Sequence, residues 1–282
     1  MDSRRWARVV TFAVLLMTLA GPGATGTGAQ GSPAAGAEGR LEVAVTFSIL
    51  ADLVANVGGD AVTVSVLVPA GGDAHTFEPS PDDITVIEGA DLLFENGLGF
   101  EPWLDDLYGA SASAAERVVV TEGLDLIEAG SEGEDDHSED GNGHADEGDG
   151  HADEGDGQAD DDDDHGDGEH DPHVWHDVAN AMAMTGTIRD ALSRVDPANA
   201  ATYAANAELA LASLTALDAF VVTEVAKLPE DRRKLVTSHD TFAYFARRYG
   251  FEVVGTALSS MSTESGDPSA QQIAELVDAI DA

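Results

Sequence analysis

Residues 41–69 read LEVAVTFSILADLVANVGGDAVTVSVLVP, and this stretch decides the fold class. Leu41–Phe47 has the composition of a strand, with Val43 and Val45 on one face. Ser48–Val57 carries apolar residues at helical spacing and stops at Gly58-Gly59. Val62–Val68 is β-branched, hence a second strand, closed by Pro69. The alternation continues outward. Pro81–Glu88 is a short helix with Ser80 as N-cap, Asp91–Glu95 a strand, Pro102–Tyr108 a helix and Val118–Val120 a strand. Strands alternating with helices predict an α/β fold with a mostly parallel sheet.

Further along, Val178–Val195 is predicted helical, and Pro197 stands where a second helix begins. No Pro or Gly occurs from Ala198 to Leu228, and Tyr203, Ala207, Ala210, Leu214, Leu217, Val221, Val225 and Leu228 follow steps of three and four. One helix over this span is about 46 Å long at about 1.5 Å per residue. Then come a strand at Lys234–Thr237, a helix at Thr241–Tyr249, a strand at Val253–Ala257 and a helix at Ser269–Ile280. This second α/β unit is small, which predicts an incomplete lobe and a truncated chain.

Composition narrows the function classes. The 282 residues carry 13 Lys and Arg against 54 Asp and Glu, a net charge of −41. Phosphate backbones and anionic membrane surfaces repel such a chain, so nucleic acid is not an expected partner. Cysteine is absent, which removes disulfides, thiolate ligands, Cys nucleophiles and Cys-linked lipid anchors. Arg4, Arg5 and Arg8 precede a 12-residue apolar run, Val9–Ala20, and a small-residue stretch, Gly21–Gly39. That is the pattern of an export signal, and the run is too short to span a bilayer. No other segment reads as apolar enough to cross a membrane, so an exported, extracytoplasmic chain is expected.

Ser131–Asp171 breaks the pattern. Its 41 residues hold 20 acids, five histidines (His137, His144, His151, His165, His170) and no Lys or Arg, with Gly-His-Ala-Asp-Glu-Gly-Asp at 143–149 repeated at 150–156. With no apolar side chain larger than Ala, it is expected to be a disordered loop. It reads either as a solvated acidic linker or as a weak, multi-site collector of divalent cations.

Four histidines lie outside it: His75, His173, His176 and His239. His75 follows the Val62–Val68 strand, His239 follows Lys234–Thr237, and His173 precedes the Val178 helix. In open α/β sheets that edge is where ligands bind. Three imidazoles suit zinc, and also copper or nickel, whereas manganese calls for more carboxylate oxygen. A three-His zinc site is also a hydrolytic arrangement, but no His-Glu-x-x-His helix, Gly-x-Ser-x-Gly elbow or phosphate-cradling Gly-rich loop occurs. A metal buffer or adhesin acting through the acidic loop alone is the other alternative.

The motifs around these histidines resemble one family. Gly71-Gly72-Asp73-Ala74-His75-Thr76-Phe77-Glu78-Pro79-Ser80-Pro81 looks like the first ligand loop of the zinc/manganese substrate-binding proteins of ATP-driven (ABC) importers. Asn96-Gly97-Leu98-Gly99 with Glu101-Pro102-Trp103-Leu104 is similar to the segment that follows in that family. Asp171-Pro172-His173-Val174-Trp175 resembles the second ligand motif, and Ser238-His239-Asp240-Thr241-Phe242-Ala243-Tyr244-Phe245 with Arg248-Tyr249-Gly250 resembles the third. Ser262-Thr263-Glu264 with Pro268-Ser269 continues the match.

The resemblance implies two α/β lobes with mostly parallel sheets joined by one long helix, with the metal between the lobes. That divides the chain into a signal and linker (1–39), an N-terminal lobe (40–196) containing the insert (131–171), a connecting helix (197–229) and a partial C-terminal lobe (230–282). It implies His75, His173 and His239 as ligands of a transported Zn2+, with Mn2+ second. His176 sits outside the ligand pattern, three residues beyond His173. Asp73, Glu78, Asp171 and Asp240 stand near the ligands and could orient the rings, though Asp240 reads equally as turn or cap chemistry. The implied partners are the membrane permease and ATPase of an importer, met by a monomeric receptor in the periplasm or on the outer face of the cytoplasmic membrane. Lipid-anchored members carry a Cys near the N-terminus, and here there is none. Ala74 stands where members usually have Pro or an acid, and the Asp motif that often gives a fourth ligand lies beyond Ala282.

Overall fold

Parallel pairing builds the first sheet from the strand–helix–strand unit that the sequence announces. The computed structural model describes residues 39–129, 170–257 and 270–281. Strands β1 (Leu41–Phe47), β2 (Val62–Val68), β3 (Leu92–Glu95) and β4 (Glu116–Val119) form a sheet in the order β2-β1-β3-β4, every pair parallel. Helices α1 (Ser48–Gly58), α2 (Pro81–Glu88) and α3 (Leu104–Ser111) cross between them. The central strand β1 is buried on both faces, as an inner parallel strand must be. Val43, Val45 and Phe47 face one core with Leu50 and Val54 of α1, and Ala44 faces a second with Leu67, Ile87, Leu93 and Leu107. The first core is covered by α1 and by α4 (Val178–Val195), through Met184, Ile188 and Leu192, and the second by α2 and α3. The result is three layers, helix–sheet–helix.

Ser80 caps α2 as expected. Its hydroxyl and backbone nitrogen both meet Asp83 Oδ2 at 2.7 Å, in a capping box with Pro81 opening the helix. The long helix forms as α5 (Ala200–Val225), shorter than the predicted 198–228 span. Pro197 opens a separate 3-10 turn, Pro197–Asn199, and the chain leaves the helix at Ala226, so α5 is about 39 Å long at about 1.5 Å per residue. It packs on α1 and α4. Tyr203, fully buried, anchors its start and donates to Asp196 Oδ2 at 2.7 Å. Beyond that turn the helix is largely exposed, with Leu209 70% and Phe220 60% accessible. By length and composition Pro197–Val225 is apolar enough to cross a membrane, contrary to the sequence reading, but it is joined to the sheet layer by these contacts.

Strands β5 (Lys234–Thr237) and β6 (Glu252–Thr256) form a second, two-stranded parallel sheet, with α6 (Ala243–Tyr249) between them and α7 (Ala270–Asp281) after them. The sequence places α6 two residues too early and β4 two residues too late. Its α3 range, Pro102–Tyr108, is also early, because Trp103 forms the N-cap rather than part of the helix. The small second sheet is held to the first unit by side chains of α6. Arg248 pairs with Asp177 at 3.1 Å and Asp218 at 2.8 Å, and Tyr249 donates to Asp218 at 2.9 Å. Ile188 is fully buried in the first core. Ile188→Ala should lower unfolding free energy by about 2–5 kcal/mol in urea titration, whereas Leu209→Ala on the exposed face of α5 should change it by no more than about 0.5 kcal/mol.

Candidate metal centre

All four strands of the first sheet point the same way, so their carboxyl ends share one edge, and the chemistry collects there. The loop after β2 brings His75, β1 ends on Phe47, and the chain entering α4 brings His173. The two histidines sit in matching turns. In Asp73-Ala74-His75 and Asp171-Pro172-His173 alike, the backbone nitrogen of the histidine donates to Oδ1 of the aspartate two residues earlier, at 2.9 Å in both. Asp171 does more. Its Oδ1 also lies 2.7 Å from His173 Nδ1, and both side chains are almost wholly buried. With that nitrogen protonated toward the carboxylate, His173 Nε2 keeps its lone pair. His75 Nε2 lies 3.3 Å from it. Phe100 stands edge-on to His75 at 4.7 Å between ring centroids, and Trp175 to His173 at 5.5 Å, with Phe47 packed against both Phe100 and Trp175. The histidine pair therefore lies on an aromatic floor.

His239 follows β5 and approaches from the second sheet, its ring centroid 5.7 Å from that of His173. It is half-buried, and its Nδ1 is 3.3 Å from Ser238 Oγ. The structure thus brings His75 and His173 into contact and leaves His239 beside them. Among the described residues, no group of three His, Asp or Glu side chains is arranged to hold an ion as it stands. Asp171 Oδ2 and Asp240 Oδ1 are buried without a hydrogen-bond partner. Burial, and then the charge of Asp171, pushes the Asp240 carboxyl up. Glu78 is exposed. His176 packs on Phe242 at 4.4 Å and meets Thr241 Oγ1 at 3.4 Å, so it is occupied by the second sheet's loop.

The expected boundary of the acidic insert needs correction. His137, His144, His151 and His165 lie outside the described residues, as do 1–38 and the Ser262–Ser269 motif. His170 and Asp171, however, belong to the fold. His170 bridges Glu128 in antiparallel fashion, and Asp171 N donates to Ile127 O at 2.9 Å. Tyr244 of α6, itself fully buried, accepts from Ile127 N at 3.0 Å and donates to Asp171 O at 2.9 Å. An acid run and a structural aspartate are written with the same letter, and only these contacts separate them. Asp-x-His stands at 73–75 and 171–173, but it also stands at 135–137, 149–151 and 163–165 inside the insert, so the pattern by itself does not single out the structural aspartates.

Against known proteins, the profile described as "Zinc-uptake complex component A periplasmic" matches residues 43–282. The chain belongs to this family of metal ABC-transporter substrate-binding proteins. Among its relatives, the manganese-binding lipoprotein MntA of Halalkalibacterium halodurans is 33% identical over 269 residues, which is 95% of this chain and 74% of that protein. The zinc-binding protein TroA of Treponema pallidum is 28% identical, over 89% of this chain and 71% of that protein. A manganese-bound periplasmic metal-binding protein from Candidatus Liberibacter asiaticus matches with a TM-score of 0.63 at 25% identity, covering 85% of this chain and 75% of that one. The α/β architecture with parallel sheets and one long helix is that of these receptors.

Burial first, and then the neighbouring His173, pushes His75 down to about 4. Burial and His173 likewise push His176 down to about 4. Between about 6.5 and about 4 the unfolded chain therefore binds protons that the folded one refuses, and these histidines cost stability as pH falls through that window. Glu101, raised to about 7 by burial, works the other way, because the folded state takes up its proton first. His176→Asn should therefore lose less unfolding free energy than the wild type between pH 6.5 and 4, in urea titrations without added metal. Parallel pH profiles for the two proteins would contradict this.

Proposed function

We propose that this chain is an extracytoplasmic receptor that captures Zn2+ on His75, His173 and His239 and delivers it to the permease and ATPase of an ABC importer. The observation that carries the reading is the 3.3 Å between His75 Nε2 and His173 Nε2. Two nitrogens each about 2.0–2.1 Å from one ion at a tetrahedral angle are themselves about 3.3–3.4 Å apart. The pair therefore already has the edge length of a zinc tetrahedron. His173 presents Nε2 because Asp171 holds Nδ1, the carboxylate–histidine arrangement that orients metal ligands. His239 supplies the third nitrogen by a movement of the loop after β5, while α6 stays joined to the Asp171 segment through Tyr244. On this reading residues 40–196 and 230–282 act as lobes about the 197–229 helix.

Relatives carry manganese, iron and zinc in their names, so the choice of ion rests on the donors. Three imidazoles favour zinc over manganese. The work is capture and release, and the relatives are transport receptors rather than enzymes. His75→Ala, His173→Ala and His239→Ala should each weaken zinc binding by about 10-fold or more in calorimetry, extrapolating from the losses that outer-shell changes cause. Unaltered tight binding in all three variants would overturn the assignment, and a wild-type chain that prefers Mn2+ in competition would overturn the choice of ion.

The His-rich insert acts on this reading as a weak collector that raises local metal concentration near His173. Excision must stop at residue 169, since His170 and Asp171 make the contacts described above. Removing 130–169 should lower the number of weakly bound, salt-sensitive metal ions and leave one tight site. Loss of the tight site on excision would make the insert a ligand donor and sink this role.

A further inference from the structure

We infer that the segment Asn96–Trp103 is the spacer that sets the distance between His75 and His173, with Asn96 and Trp103 as positioning residues. The inference rests on the ligand assignment proposed above. The two histidines are 98 residues apart in sequence and sit in separate loops, so something other than local chain geometry must hold them 3.3 Å apart. In each Asp-x-His turn the histidine's own nitrogen is committed to the aspartate, which leaves the carbonyl of the middle residue pointing away as a handle. Both handles are taken by the same short segment. Trp103 Nε1 donates to Ala74 O at 2.7 Å, and Asn96 Nδ2 donates to Pro172 O at 3.0 Å, a carbonyl that also accepts from Val174 N at 2.9 Å within its own turn. One short stretch of chain thus joins the neighbour of one histidine to the neighbour of the other.

A spacer must be stiff, and this one is. Gly97, Leu98 and Gly99 all have positive φ, at 80°, 59° and 72°. Leu98 is a non-glycine residue held in a conformation such residues rarely adopt, which persists only where the surroundings over-determine it. Gly97 has no room for a side chain, since a Cβ there would come within 2.7 Å of Val119 Cγ1. The buried carboxylate of Glu101 closes the segment on itself. Oε1 accepts from Asn96 N at 2.8 Å and from Thr46 Oγ1 at 2.6 Å, and Oε2 accepts from Gly97 N at 3.1 Å. Thr121 Oγ1 donates to Asn96 O at 2.7 Å. The segment, which leaves the end of β3, is therefore tied to β1 through Thr46 and to the chain after β4 through Thr121, and Phe100, inside it, is the ring packed edge-on to His75.

The test compares Trp103→Phe and Asn96→Ala with Tyr108→Phe. Tyr108 lies on α3 and also donates at 2.7 Å to a backbone carbonyl, that of Ala115, away from the histidines. Zinc affinity is measured by calorimetry, the site's geometry by the visible absorption of bound Co2+, and stability by thermal unfolding of the metal-free protein. Trp103→Phe and Asn96→Ala are expected to weaken zinc by about 10-fold or more, the size of outer-shell losses, and to change the Co2+ bands. Tyr108→Phe is expected to lower the melting temperature while leaving affinity and spectrum as in the wild type. Wild-type affinity and Co2+ spectrum in Trp103→Phe, with only a lower melting temperature, would show the bond to Ala74 to be ordinary structure and would overturn the inference. His173→Ala is run alongside. If it too binds zinc like the wild type, the ligand assignment is what has failed, and the spacer falls with it.

Discussion

The bond between Asp171 and His173 is the contact on which the centre depends. A free imidazole has two nitrogens and no fixed choice between them. A buried carboxylate 2.7 Å from Nδ1 makes that choice, and it also fixes the plane of the ring. The arrangement holds only if the carboxylate is itself immobile. Asp171 is held through its backbone by Ile127 and Tyr244, and Tyr244 comes from the helix beside the second sheet. The orientation of one ring is thereby linked to how α6 sits against the first unit. Arg248, one turn further along α6, pairs with Asp177, the residue that N-caps α4 just after the His173 turn. The second sheet is small, but its helix holds the second histidine motif from both sides.

Burial explains why these groups remain in the forms that the site needs. His75 is kept neutral well below the pH at which a free imidazole would protonate. With His75 neutral the two rings can lie 3.3 Å apart at Nε2 without a second positive charge facing the first. The aromatic rings of Phe47, Phe100 and Trp175 supply that environment without offering competing acceptors.

Much of this was legible in the chain. Strands β1, β2 and β5 and helices α2 and α4 fall where their residues predict them, because β-branched runs, a Ser cap before Pro and helical spacing are local signals. The three histidines were legible as strand-end and helix-entry residues. What stayed hidden is tertiary. Nothing in the letters of Glu169-His170-Asp171 says that the acidic run ends before His170, because only the pairing with Glu128 and Ile127 distinguishes a solvated acid from a structural one. Leu98 gives no sign of a left-handed backbone, a conformation usually signalled by glycine. The orientation of His239 is likewise unreadable, since it depends on how the second sheet stands rather than on its own neighbours.

The backbone bridge between Glu128 and His170 bears on how the length of the insert enters the fold. It closes the base of the insert one residue before the aspartate that orients His173, so the distance between the two ends is set by the fold and not by what lies between them. The entropy of closing a loop grows only with the logarithm of its length, about 0.6 kcal/mol for each doubling. A change of length between residues 128 and 170 therefore leaves the bond between Asp171 and His173 where it is.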